Sequence, residues 1–111
     1  MSKSKFVSTH NKGFQMTFEN GFRISVQWGI GNYCQRKEDG EYGESMKTEF
    51  WESNSAEIAV FNKDREFIEI TNYPDVVAGW LNTDKVAKVI TIVQSATTEE
   101  EIETKLKALN I

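Results

Sequence analysis

Gly13-Phe14-Gln15-Met16-Thr17-Phe18-Glu19-Asn20-Gly21-Phe22-Arg23-Ile24-Ser25-Val26-Gln27-Trp28 is the stretch on which the fold turns. Phe14, Met16 and Phe18 alternate with Gln15, Thr17 and Glu19. After Asn20-Gly21 the alternation resumes, with Phe22, Ile24, Val26 and Trp28 set against Arg23, Ser25 and Gln27. Successive side chains of a strand point to opposite faces, so a period of two marks a strand with one face buried. Asn-Gly tolerates the positive φ values of a type I′ turn, and the stretch therefore predicts a β-hairpin. Each large apolar side chain on its inner face contributes about 1.5–3 kcal/mol when fully buried. Another element must cover that face.

Upstream, residues 1–12 are mostly polar and predict a loose tail or a poorly anchored edge segment. Downstream, Gly29-Ile30-Gly31-Asn32 ends the second strand, because two glycines and an Asn favour a turn or bulge. Residues 35–53 are polar, with Gly40 and Gly43 among charges, and predict a long mobile loop. Loops of that length are functional or disordered. Ala56, Ile58 and Val60 predict a third strand running on to Phe61. Asn62-Lys63-Asp64-Arg65 predicts a turn, and Phe67-Ile68-Glu69-Ile70 a fourth strand, making a second hairpin. Tyr73-Pro74-Asp75 stops it, since proline lacks a ladder donor. Val76–Leu81 reads either as a short fifth strand or as an apolar plug.

The period then changes. Asn82 or Thr83 caps a helix whose apolar face is Val86, Val89, Ile90, Val93 and Ala96. Thr98 and Glu101 fit a capping box, three glutamates favour the positive end of a second helix, and Ile102, Leu106 and Leu109 form its apolar stripe. The order ββ, loop, ββ, αα predicts an α+β fold: an antiparallel sheet of four to five strands, in two hairpins, covered on one face by two C-terminal helices.

With 111 residues, 39% of them hydrophobic and 12% aromatic, the chain has the length and core material of one domain, residues 1–111. Thirteen Lys+Arg against 17 Asp+Glu give a net charge of −4, which argues against nucleic acid as a partner because phosphate neutralisation needs a basic excess. Cys34 is the sole cysteine, so neither an intramolecular disulfide nor a thiolate metal cluster is expected. The apolar runs are far shorter than a membrane span, and together with the cysteine count this predicts a cytoplasmic location.

Candidate chemistry is sparse. His10 sits in the polar N-terminal segment, without the orienting partner that a catalytic histidine needs. Cys34 has Arg36 and Lys37 near it in sequence, but no helix N-terminus to activate a thiol, and reads as packed beneath the loop. Gly29-Ile30-Gly31 is a fragment of a phosphate-loop pattern with Cys34 at the position of the third glycine. The outer face of the first hairpin carries Gln15, Thr17, Arg23 and Gln27, with only Arg23 to supply charge, which argues against RNA. No catalytic residue, cofactor or metal is expected. The acids of the loop are interleaved with aromatics, and Tyr and Trp anchor interfaces. The expected partner-binding residues are therefore Tyr33, Glu38, Asp39, Glu41, Tyr42, Glu44, Phe50 and Trp51, with Phe50 and Trp51 alternatively packing inward at the start of the third strand.

Gly13 to Gly21, continued through Val26-Gln27-Trp28-Gly29 to Gly31-Asn32-Tyr33-Cys34, together with Ser55-Ala56-Glu57-Ile58-Ala59-Val60, resembles small uncharacterised proteins encoded by tailed bacteriophages. The resemblance spans most of residues 13–96. It implies expression in an infected bacterial cytosol and a role in binding a host protein. The leading expectation is thus a non-enzymatic protein-binding module, monomeric or homodimeric. The alternatives are a small enzyme using the loop carboxylates and Cys34, or a structural, homo-oligomeric particle component.

Overall fold

The period-two stretch forms neighbouring strands in the computed structural model, which describes residues 4–10, 12–40, 47, 50–73 and 75–111. Strand β2 (Gly13–Thr17) pairs antiparallel with β3 (Arg23–Gln27), setting Phe14 opposite Val26 and Met16 opposite Ile24. The connection is not the expected type I′ turn. Phe18 N–H donates to Phe22 O at 2.9 Å, Gly21 N–H donates to Phe18 O at 2.8 Å, and Gly21 alone of the turn takes a positive φ, +90°. This is a three-residue loop with glycine in the bulge position. Released from a left-handed backbone, Asn20 turns its amide to the far end of the chain. Nδ2 donates to Val93 O and Ala96 O at 2.9 Å each, and lies 3.2 Å from Gln94 O. Phe22 N–H closes the arrangement by donating to Asn20 Oδ1 at 3.1 Å.

Of the two readings of the N-terminal segment, the edge strand is the one realised. β1 (Lys5–Ser8) pairs antiparallel with β2, Phe6 opposite Met16 and Ser8 opposite Phe14. β4 (Ala56–Phe61) pairs with β3, and β5 (Val77–Leu81) with β4, so the five strands lie in sequence order β1-β2-β3-β4-β5. The stretch left open between strand and plug thus resolves as a strand, Val77–Leu81, while the expected strand at 67–70 is reduced to a stub. Phe67 bridges to Phe61 and Ile68 N–H donates to Val60 O at 2.9 Å, after which the chain leaves the sheet. Ile68 and Ile70 are nevertheless buried, at 1% and 0% exposure. Their alternation reported two side chains entering the core, and a ladder partner was not needed for that.

Helix α1 (Thr83–Ser95) starts at Asn82, whose side chain accepts from Lys85 N–H at 2.9 Å, and buries Val86, Val89 and Val93. Helix α2 (Glu99–Ala108) is capped by Thr98, whose hydroxyl accepts from Glu101 N–H at 3.1 Å, and buries Ile102 and Leu106. The expected capping box is shifted by one residue, since the Glu101 carboxylate accepts from Thr97 N–H at 3.0 Å. A hydrogen bond from Lys105 Nζ, then that backbone N–H, hold the Glu101 carboxyl at about 2, so its contribution to stability is present at neutral pH and fades as pH falls towards that value.

Both helices cover one face of the sheet, as the order of elements predicts. Ile24, Ile58, Val60, Val89, Val93, Ile102 and Leu106 are each at 0% exposure in one shared core. Helix α1 lies over β3 and β4. The β1–β2 side has less cover, and Phe6 is 80% exposed.

Candidate binding surface

The chain between β3 and β4 builds a surface at one end of the sheet. Asn32 and Glu57 organise its first half. Gly29 N–H donates to Asn32 Oδ1 at 3.0 Å, Asn32 Nδ2 donates to Glu57 Oε1 at 3.3 Å, and Tyr33 N–H donates to Glu57 Oε2 at 2.8 Å. Tyr33 O in turn accepts from Trp80 N–H at 2.8 Å, which ties the segment to β5. Its second half is stitched across to residues 52–55. Gln35 N–H donates to Ser55 Oγ at 2.9 Å, Asn54 N–H donates to Gln35 Oε1 at 2.8 Å, and Arg36 Nε donates to Glu52 O. Residues 35–40 and 50–53 lie within the stretch expected to be a loop. They are irregular but hydrogen-bonded, because polar side chains inside the segment supply the partners that a ladder would otherwise give.

Cys34 lies beneath this segment at 0% exposure, its thiol donating to Gly29 O at 3.6 Å. Burial pushes the thiol upward from its ordinary value, against smaller opposing effects of the Arg36 backbone N–H and the Ser53 side chain. Thiolate is the nucleophile, so this placement works against reactivity. Native protein is expected to react with a disulfide reagent at least about a hundred-fold more slowly than protein unfolded in guanidinium, because access requires local opening. Absorbance at neutral pH reads the rate, and comparable rates would show that the thiol is accessible.

The expected partner-binding residues divide. Tyr33, 51% exposed, stands with Lys37 Nζ 5.6 Å from its ring centroid. Glu38 and Asp39 are exposed and face cations of their own segment, Lys37 at 4.0 Å and Arg36 at 3.0 Å. Phe50 is 79% exposed, whereas Trp51 is half-buried with the Arg36 guanidinium 5.2 Å from its ring centroid. Neither begins the third strand, which starts at Ala56. Glu41, Tyr42 and Glu44 lie outside the described residues.

Trp51 leads to what the sequence reading missed. It forms one wall of a cleft of about 640 Å³ between the end of the sheet and α1, floored by Val26, Ala56 and Leu81 and flanked by Phe14, Trp28, Val86 and Ile90. Phe14 and Trp28 meet edge to face at 6.2 Å, and Trp28 Nε1 donates to Trp51 O at 2.6 Å, fixing the wall. Trp51 Nε1 is buried and has no hydrogen-bond acceptor among the described residues. Ser53, Asn54 and Thr83 put polar groups on the rim. Volumes of this size, apolar within and polar at the edge, are typical of binding clefts. Phe14, Trp28, Val86 and Ile90 all read as core from their periodicity. That pattern reports which face is apolar, and it does not report whether the opposing layer closes over it.

Comparison with protein-family models, curated proteins and solved structures finds no match to this chain. Among the described residues no group of three or more His, Cys, Asp or Glu is arranged to hold a metal ion, and no helix is long and apolar enough to cross a membrane.

Proposed function

We propose that the chain is a non-enzymatic protein-binding module, of the phage type that its sequence resembles, which takes an apolar side chain of a host protein into the cleft beside Trp51. The observation that carries this reading is the cleft of about 640 Å³ lined by Trp51, whose neighbour in the sequence, Phe50, is 79% exposed. An exposed aromatic beside an apolar recess bordered by polar groups is the arrangement from which interface anchors are drawn. The competing enzymatic reading needs an accessible thiol or converging carboxylates, and Cys34 is buried while Asp39 is spent on Arg36.

The test is capture of partners from a host lysate by three variants checked for folding by circular dichroism. Phe50→Ser removes the exposed aromatic, and Ala87→Arg fills the cleft from an exposed position of α1 without deleting a core contact. Both are expected to weaken capture by roughly 30-fold, the size of an interface hot spot. Phe6→Ser, on the free edge of β1, should leave capture unchanged. Undiminished capture by the first two variants would overturn the proposal. Loss with Phe6→Ser alone would move the contact to the sheet edge and favour the structural, homo-oligomeric reading.

A further inference from the structure

Four cations from three separate stretches of the sequence converge on the opposite face of the sheet. Lys5 of β1, Arg23 of β3, and Lys63 and Arg65 of the turn after β4 line a pocket of about 410 Å³, together with Thr17 and Asn62. The register explains the meeting. Lys5 is opposite Thr17, Thr17 opposite Arg23, and Arg23 opposite Phe61, so three polar residues form a row that ends at the turn beginning with Asn62. Among the described residues no carboxylate lines the pocket. Glu19 and Glu66 lie in the flanking turns, bonded to Ser4 Oγ at 3.0 Å and Asn62 Nδ2 at 3.1 Å. Among the described residues none of the four cations forms an ion pair. In a chain of net charge −4, such a cluster is a local reversal of sign.

Two of the cations have side-chain contacts that place them. Arg23 Nε donates to Thr17 Oγ1 at 2.9 Å and Nη1 to Gln15 Oε1 at 3.2 Å, which orients the guanidinium and leaves donors over. The Lys63 stem lies against Gly21, with its Nζ 5.7 Å from the Phe22 ring centroid. Arg65 is the most telling. Asn62 N–H donates to Glu66 O at 2.8 Å and Arg65 N–H to Asn62 O at 3.1 Å, repeating the build of the turn at 18–22. In that turn the left-handed position is Gly21; here Arg65 occupies it at φ +63°. Glycine would take the position without strain, so an arginine here carries a backbone cost, of a kind that clusters at functional sites.

We propose that this pocket binds the phosphate group of a small phosphorylated molecule. Guanidinium groups match phosphate in geometry, and an ammonium adds a point charge. The volume leaves room beyond one phosphate for a compact polar body against the Thr17 hydroxyl and the Asn62 amide.

Titration of isotope-labelled protein in 0.15 M sodium chloride with orthophosphate, pyrophosphate and ribose 5-phosphate, read by amide chemical shifts, tests the site. Saturable shifts confined to Lys5, Thr17, Gly21, Asn62, Lys63 and Arg65 are expected. The tightest of the three probes separates free phosphate from a phosphate ester as the source. Arg65→Gly should melt at a higher temperature yet bind roughly ten-fold more weakly, the loss of one charge-assisted contact, and Lys63→Gln should weaken binding by a similar factor. Absence of saturable shifts with all three probes, or unchanged affinity in both variants, would overturn the proposal. Shifts produced by a short single-stranded oligonucleotide but by none of the three would overturn it in favour of a nucleic-acid surface.

Discussion

Asn20→Asp is expected to cost roughly 3 kcal/mol of folding stability at pH 7, about twice the loss from Asn20→Ala. The amide of Asn20 is the donor for the carbonyls that end α1, at 2.9 Å from Val93 O and from Ala96 O, and the last turn of that helix carries no basic residue. Alanine removes the donor and leaves carbonyls without it. Aspartate also brings a negative charge to the negative end of the helix dipole, within hydrogen-bond distance of carbonyl oxygens. That environment disfavours the ionised form, so the folded-state pKa of the introduced carboxyl rises above its unfolded value of about 3.9. The extra penalty is therefore absent below about pH 4, grows as pH rises through the folded-state pKa, and is constant above it. Urea denaturation of both variants between pH 3 and 8 measures the difference. If aspartate and alanine tracked each other at every pH, the amide contact would not be what joins the hairpin to the helix.

A second large loss is expected from Gly13→Ala, about 3 kcal/mol or more, from strain and overpacking together. Gly13 sits at φ +155°, and a Cβ added there would lie 2.1 Å from Val26 O and 2.9 Å from Gln27 Cα. Both neighbours are backbone atoms of β3, opposite Gly13 in the ladder, so no side chain can swing aside to make room. Relief requires moving the strand that carries Ile24 and Val26 into the core. A midpoint shift in denaturant corresponding to less than about 1 kcal/mol would mean that β2 starts one residue later at little cost. At Gly21 the nearest contact of an added Cβ is the flexible stem of Lys63 at 2.9 Å, so the cost of Gly21→Ala comes from its φ of +90° and not from a backbone clash.

The same two positions show why some of the fold was legible and some was not. Asn20-Gly21 announced a reversal, and a reversal is there. The choice between a two-residue and a three-residue loop, however, was made by the carbonyls of a helix more than seventy residues away, which no local pattern can carry. At residues 67–70 the alternation was real and both isoleucines are buried, yet β5 took the place beside β4 and left Phe67 a single bridge. Of the candidate binding residues, Tyr33 and Phe50 stand exposed, while Trp51 lines a cleft with Phe14, Trp28 and residues of α1, which no local pattern brings together. Arg23 was read as the lone charge on its face. Lys5, Lys63 and Arg65 join it only through a register of three strands.

By itself the sequence determined the hairpin of β2 and β3, the strand β4 and both helices, which side of each is apolar, and that both helices must lie on one face of the hairpin. Those properties follow from periods of two and 3.6 and from capping side chains, all within a few residues of one another. Only the tertiary structure decided which strand follows β4, where the apolar layers fail to meet and leave a cleft, and which cations share a pocket. Each of these is a matter of distance between segments remote in the chain, and remote distances are set by the packing of the whole core.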